Sequence, residues 1–81
     1  MMRVNVRLFA SQREAVGRSH VQAEVRDGAT AAQLFSQLCA AHPRLRETPN
    51  TVFAVNREQA SPQTTLHDGD EVALLPPVAG G

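Results

Sequence analysis

The chain has 81 residues and a formal net charge of zero, with eight arginines, eight acidic residues and no lysine. This length accommodates one small domain with one core, the balanced charge gives no attraction toward nucleic acid or an anionic membrane, and the missing lysine excludes Schiff-base catalysis. A single cysteine, Cys39, excludes an internal disulfide, and no apolar run is long enough to span a bilayer. These properties indicate a reduced, cytoplasmic protein without nucleic-acid or membrane partners.

The first predicted element is a half-buried strand at residues 3–9. Val4, Val6 and Leu8 alternate with polar side chains, which is the period of two that a strand with one buried face requires. The same alternation interrupts the continuous apolar stretch that a secretory signal needs. We therefore expect a strand here rather than a leader segment.

A short helical turn and a second strand are predicted next. Ser11 and Glu14 have the spacing of a capping box, and Gly17 is a typical helix stop. Residues 20–25 then resume the alternation of apolar and polar side chains. The two strands are predicted to form an antiparallel pair.

The longest predicted helix follows an Asp-Gly turn. Thr30 and Gln33 supply the capping signature S/T-x-x-E/Q. The helix is predicted to end near His42, because Pro43 disfavours helical geometry in the residue before it. Apolar residues recur at the three- and four-residue spacing of one helix face, namely at Ala31, Leu34, Phe35, Leu38 and Ala41.

The C-terminal half reads as a loop followed by short strands. Residues 44–50 are predicted as loop, residues 52–55 as an apolar strand, and residues 56–57 as a tight turn into a weak edge strand around residues 59–60. A turn at residues 67–70 then precedes the last strand.

The acidic residues around that last turn allow a second interpretation. Asp68, Asp70 and Glu71 carry the oxygen atoms of a cation site, but a turn rich in Asp and Gly explains them more simply. The last strand is predicted at residues 71–75, where Val72 and Leu74 share one face.

This order of elements predicts an α+β fold of the β-grasp type, in which a mixed sheet of four to five strands carries one main helix on one face. The first and last strands have the clearest alternation, so we expect them side by side at the sheet centre. They are predicted to be parallel because the helical connection supplies a crossover. Residues 1–81 are predicted to be a single domain with residues 76–81 as a projecting C-terminal tail.

The tail begins with two prolines. Pro76 and Pro77 supply no backbone N–H, so they should end strand pairing and hold the following residues extended. At about 3.1 Å per residue, six residues project by roughly 19 Å. Gly80 and Gly81 lack a Cβ atom, so the α-carboxylate of Gly81 suits a channel too narrow for any side chain. The alternative is a frayed end without function.

Conventional catalytic patterns are missing from the sequence. It contains no G-x-x-x-x-G-K-[ST] phosphate loop, no H-E-x-x-H and no paired cysteines. His20, His42 and His67 fall in separate elements without shared ligand spacing, so we interpret them as surface histidines. Cys39 is interpreted as a partly buried structural residue, because no neighbouring group activates its thiol. No metal site and no cofactor site are therefore predicted within the chain.

Phe9 and Leu75 are apolar residues on the face opposite the core side chains of their strands. If the two end strands are neighbours, these side chains form an apolar patch at the base of the tail, and such a patch typically marks a partner interface. The alternative is that the short turn after Phe9 covers them.

Several short motifs together carry a family likeness. They are Phe9-Ala10, Arg13-Glu14, Gly17, Val55-Asn56 and the ending D-G-D-E-V-A-L-L-P-P-V-A-G-G at residues 68–81. With these motifs the chain resembles the small subunits of molybdopterin synthase, a family of ubiquitin-like sulfur carriers. The resemblance covers essentially the whole sequence.

This resemblance implies a sulfur carrier in molybdenum cofactor synthesis. An activating enzyme would adenylate Gly81 with ATP, and sulfur from a persulfide donor would convert the terminus to a thiocarboxylate. The chain itself would bind no cofactor.

The resemblance also implies a docking partner, the large synthase subunit, in an assembly of two small and two large subunits. Phe9 and Leu75 match the family's hydrophobic docking positions. Within the complex, sulfur would pass to cyclic pyranopterin monophosphate. The residues implied to pass into the large subunit ahead of Gly81 are Pro76, Pro77, Val78, Ala79 and Gly80.

Two positions depart from the family pattern, and other functions stay open. Gln59 replaces an apolar residue and Arg57 replaces a small or neutral polar residue. The alternatives are a carrier for thiazole synthesis or tRNA thiolation, a modifier conjugated to lysines of other proteins, and a plain interaction module.

Overall fold

The computed structural model describes residues 1–45 and 51–75. The tail and most of the predicted 44–50 loop lie outside the described residues. The described elements are β1 (Met2–Leu8), α1 (Ala10–Val16), β2 (His20–Val25), α2 (Ala31–Ala41), β3 (Val52–Val55), β4 (Glu58–Ala60) and β5 (Glu71–Leu75).

The strands form one mixed sheet in the order β2-β1-β5-β3-β4. β5 lies at the centre, parallel to β1 and antiparallel to β3. The register pairs Val6 with Val72 and Leu8 with Leu74, so the buried side chains of the two strands lie side by side on the same face of the sheet. The predicted adjacency and parallel direction of the first and last strands are confirmed.

The core lies between the sheet and α2. Phe35 of α2 meets Phe53 of β3 edge to face, with ring centroids 5.9 Å apart, an arrangement that aromatic pairs favour. Ala41 is exposed at the end of the helix, so the apolar stripe is one residue shorter than predicted. The buried residues of α2 are Ala31, Leu34, Phe35 and Leu38.

The N-terminus of α2 has the predicted capping box. The Thr30 hydroxyl accepts a hydrogen bond from the Gln33 N–H at 3.2 Å, and the Thr30 N–H donates to Oε1 of Gln33 at 2.9 Å. These two bonds satisfy backbone donors that the first helical turn leaves unpaired. The helix ends with His42 as its C-cap, as Pro43 predicted.

The start of α1 differs from the prediction. The helix begins at Ala10, and Phe9 occupies the N-cap position without a side-chain cap. Ser11 therefore lies inside the helix, and the predicted capping box with Glu14 is wrong. The reason is that Phe9 continues the extended backbone of β1, with φ −132° and ψ 153°, so the chain turns at Ala10. Gly17 ends the helix at φ 87°, as predicted.

The turn between β3 and β4 has positive φ at both central residues. Asn56 has φ 52° and Arg57 has φ 72°, as in the type I′ turns that match the twist of a two-strand hairpin. The predicted tight turn into a short edge strand is confirmed. Asparagine tolerates this conformation, whereas arginine adopts it against steric resistance.

Candidate functional site

The face of the sheet opposite α2 carries side chains that are exposed or half-buried; we call it the outer face. It arises because alternate residues of each strand point away from the core. Its members are Arg3, Asn5 and Arg7 of β1, His20, Gln22 and Glu24 of β2, Val52 and Ala54 of β3, Gln59 of β4, and Glu71, Ala73 and Leu75 of β5.

One end of the outer face is apolar. Val52 pairs with Leu75, and Ala54 pairs with Ala73, across β3 and β5. Phe9 extends the same surface, because it directly follows Leu8, whose partner Leu74 directly precedes Leu75. We call these five residues the outer patch: Phe9, Val52, Ala54, Ala73 and Leu75.

The structure places Phe9 and Leu75 at neighbouring strand ends, although their exposure differs. Phe9 is 37% exposed, so α1 does not bury it, whereas Leu75 is half-buried. Pro76 follows Leu75 in the sequence, so the outer patch borders the start of the tail. The role of both residues in partner binding stays a prediction. Gly81 and the tail-passage residues lie outside the described residues.

Arg7 is a residue at this site that the sequence did not single out. Its guanidinium carbon lies 6.0 Å from the centre of the Phe9 ring, a distance at which a cation attracts an aromatic face. Its Nη1 atom lies 3.8 Å from Oε1 of Glu71. The period of two contained a signal, because Arg7 and Phe9 are two residues apart and therefore share a face.

The site is supported by a hydrogen-bonded network at the start of β5. Nδ2 of Asn56 donates to Oδ1 of Asp70 at 2.9 Å, and the Glu71 N–H donates to Oδ1 of Asn56 at 3.0 Å. The backbone N–H of Asn56 donates to the Glu71 carbonyl at 2.7 Å. The asparagine thereby ties the β3–β4 turn to the first residue of β5.

The turn at residues 67–70, which contains Asp70, is attached to β1. The Arg3 N–H donates to Oδ1 of Asp68 at 2.8 Å, and the Gly69 N–H donates to the Arg3 carbonyl at 2.8 Å. The other Asp70 oxygen, Oδ2, accepts from the His67 N–H at 2.7 Å. The turn therefore holds the register of β5, and with it the position of Leu75. We call Asn56, Asp68, Asp70 and Glu71 together the turn network.

The acidic residues of the turn network bond to the protein itself. The carboxylates of Asp68 and Asp70 accept backbone and amide hydrogens, and the Glu71 carboxylate lies 3.8 Å from Nη1 of Arg7. No group of three His, Cys, Asp or Glu side chains suitable for a metal ion occurs within residues 1–45 and 51–75. The turn interpretation of this acidic cluster therefore accounts for its contacts.

The remaining candidates take structural positions. Cys39 is half-buried and packs against the core. His20 and His67 are exposed, whereas His42 is half-buried as the C-cap of α2. Among the described helices, none is long and apolar enough to cross a membrane.

The sheet order and the single main helix define a ubiquitin-like β-grasp protein. The fold matches the crystal structure of Haloferax volcanii small archaeal modifier protein 1 with a TM-score of 0.86 and 28% identity, covering 96% of this chain and 100% of that one. A chain from the protein–protein complex of subunits 1 and 2 of molybdopterin-converting factor from Helicobacter pylori matches with a TM-score of 0.65 and 27% identity, covering 99% and 100%. The predicted fold class is confirmed.

Sequence relatives agree with the structural comparison. The ThiS family profile matches residues 6–81, and the chain belongs to the ThiS family. It is 45% identical to the molybdopterin synthase sulfur carrier subunit of Chlamydomonas reinhardtii, covering 99% of this chain and 100% of the relative. The corresponding protein of Mycobacterium tuberculosis is 43% identical, covering 100% of both chains. The resemblance inferred from the short motifs is confirmed.

Proposed function

We propose that the chain is the sulfur carrier subunit of a molybdopterin synthase. The observation that carries the proposal is the placement of Leu75, the last residue of β5, in a partly exposed apolar patch directly before the P-P-V-A-G-G ending. The full-length similarity to sulfur carrier subunits supports it. In this proposal the folded domain is the part that partner proteins recognise, and the reactive group is the α-carboxylate of Gly81.

The chemistry follows from the properties of a carboxylate. An α-carboxyl group, whose usual pKa is about 3.5, is ionised near neutral pH and is a poor electrophile. An activating enzyme joins Gly81 to AMP and releases pyrophosphate. The terminal sulfur of a persulfide then attacks the acyl carbon, and AMP leaves. Cleavage of the resulting acyl disulfide by a reducing thiol releases the Gly81 thiocarboxylate.

The large subunit of the synthase is the proposed docking partner. The complex of subunits 1 and 2 from Helicobacter pylori supports such a pairing for this fold. Docking on Phe9 and Leu75 aims the tail into the partner, so the thiocarboxylate meets cyclic pyranopterin monophosphate at a high effective concentration. Two small and two large subunits make the assembly, and each product requires two carriers.

The chain's own contribution is recognition and delivery. It binds no cofactor, since ATP is consumed on the activating enzyme, and it supplies no catalytic side chain to the pterin. The residues of the tail from Pro76 to Gly80 pass into the large subunit. A cytoplasmic location fits both partners.

The main test is the intact mass of the chain after incubation with an activating enzyme, ATP and a persulfide donor. We expect one oxygen to be replaced by one sulfur. A variant lacking Gly81 serves as the control and should stay unmodified. An unchanged mass with an activating enzyme that modifies another carrier would contradict the proposal.

A second candidate function is covalent protein modification, which the likeness to small archaeal modifier protein 1 favours. The two functions differ in the acceptor of the activated terminus. Conjugates in which a Gly-Gly remnant marks lysines of other proteins would favour the modifier. Formation of molybdopterin by the thiocarboxylated chain with the large subunit would favour the sulfur carrier, and complementation of a molybdopterin-deficient strain separates it from carriers for thiazole or tRNA thiolation.

A further inference from the structure

We propose that Arg7 determines partner specificity on the outer face, by binding a carboxylate side chain of the large subunit when the outer patch is covered. This inference rests on the proposed function, because the large subunit is the partner in question. It extends that function by naming the chemistry that the partner must present beside its apolar docking surface.

The first step is the position of Arg7. It lies in register with Ala73 of β5, and Ala73 pairs with Ala54 of β3. Two small side chains therefore lie on the β5 side of the arginine, while His20 of β2 is its register partner on the other side. Since the guanidinium carbon is 6.0 Å from the Phe9 ring centre, a partner that covers Phe9 also covers Arg7.

The second step is the hydrogen-bonding state of the guanidinium. Arginine carries five N–H donors in a planar fork. Within residues 1–45 and 51–75 its contacts are the Phe9 ring and the Glu71 carboxylate, and the latter is 3.8 Å from Nη1, which exceeds hydrogen-bond distance. The Arg7 side chain is 38% exposed, so water reaches these donors in the free protein.

The third step is what docking changes. A partner removes that water, and buried donors without acceptors weaken binding. Glu71 balances part of the charge but leaves the fork unpaired. The partner must therefore bring acceptors, and a carboxylate matches the fork in a bidentate geometry. A partner that presents a cation at the same point is repelled, which makes the contact selective.

Arg3 provides a matched control on the same strand and the same face. Its guanidinium lies 3.7 Å from the Glu24 carboxylate, and both side chains are more than 60% exposed, at 64% and 63%. It is therefore the same residue type in the same kind of ion pair. Arg3 lies four residues before Arg7 on β1 and is thus further from the outer patch. Replacing Arg3 removes the same charge without altering the outer patch.

The experiment measures binding of the full chain to the large subunit by calorimetry. Arg7→Ala should weaken the affinity about tenfold or more, whereas Arg3→Ala should change it by less than about twofold. Arg7→Lys should fall between wild type and Arg7→Ala, because lysine keeps the charge and loses the fork. Raising the ionic strength should weaken wild-type binding more steeply than binding of Arg7→Ala.

The outcomes separate this inference from the proposed function. Wild-type chain that forms no complex and transfers no sulfur would count against the proposed function. A wild-type complex whose affinity falls equally in Arg7→Ala and Arg3→Ala would overturn the role of Arg7 alone. Thermal unfolding of each variant identifies any loss of fold, and if Arg7→Ala unfolds, unaltered binding by folded Arg7→Lys would overturn the fork contact.

Discussion

The side-chain amide of Asn56 donates a 2.9 Å hydrogen bond to the carboxylate of Asp70, 14 positions further along the chain. The two residues belong to separate motifs, Val-Asn after β3 and Asp-Gly-Asp-Glu before β5. Both motifs serve the same purpose, because they fasten the central strand whose end carries Leu75. Two of the motifs that indicated the family are thus parts of one structural network.

Replacement of Asn56 should destabilise the fold. Asn56→Ala removes the donor to Asp70 and the acceptor of the Glu71 N–H, and it places alanine at φ 52°. We expect a loss of about 1 to 3 kcal/mol in the free energy of unfolding, measured by urea denaturation. Asn56→Gly is the matched control for the backbone term, since glycine accepts this φ. A change below about 0.5 kcal/mol for Asn56→Ala, the range of ordinary surface substitutions, would contradict the role of the turn network.

Arg57→Gly should stabilise the protein. The left-handed conformation costs a side-chain-bearing residue roughly 1 to 2 kcal/mol, and Arg57 holds it with φ 72°. Glycine relieves that strain but adds about 0.5 to 1 kcal/mol of backbone entropy to the unfolded chain. The strain term is larger, so a net gain of about 0.5 to 1 kcal/mol is expected.

Urea denaturation of Arg57→Gly beside Glu58→Gly tests this balance. Glu58 is the adjacent residue within β4, where glycine weakens a strand without relieving positive φ. If both substitutions destabilise equally, the strain argument at Arg57 is wrong.

Phe9→Ala should separate binding from stability. Phe9 is 37% exposed and therefore more than half-buried, so its removal should cost about 1 to 2 kcal/mol in the free energy of unfolding. The affinity for the large subunit should fall about tenfold or more, because an aromatic residue central to a docking surface is a typical hot spot.

Phe35→Ala is the contrasting variant for the free energy of unfolding. Phe35 is 4% exposed and packs against Phe53, so its loss should cost about 3 to 5 kcal/mol. Unaltered affinity in Phe9→Ala would mean that the outer patch is not the docking surface.

Gly80→Leu should abolish sulfur transfer while the fold persists. The prediction comes from the sequence, since Gly80 lies in the tail and a leucine side chain would obstruct a narrow channel. Molybdopterin formation measures transfer, and thermal unfolding measures the fold. Ala79→Gly is the matched control, and it should retain activity because it removes bulk. Wild-type rates in Gly80→Leu would contradict passage through a narrow channel.

The strands and the main helix could be predicted because their signals are local. A period of two places Val4, Val6 and Leu8 on one face, and a capping box at Thr30 and Gln33 marks a helix start within four residues. The start of α1 is harder to predict from the sequence, because the backbone of Phe9 continues the extended strand β1 and no side chain caps the helix. Ser11 and Glu14 therefore match the capping pattern although the helix does not begin there.

The features of the candidate site also separate into those predicted from the sequence and those that only the tertiary structure showed. The alternation of apolar and polar residues predicted the fold class, the short motifs indicated the family, and the P-P-V-A-G-G ending is the basis of the role proposed for the terminus. Each of these signals is a property of residues close together in the sequence. Only the tertiary structure decided that Arg7 lies beside Glu71 and that Asn56 joins Asp70. Those contacts depend on which strands become neighbours and in what register, and the hydrophobic burial that selects the register acts on the folded sheet as a whole.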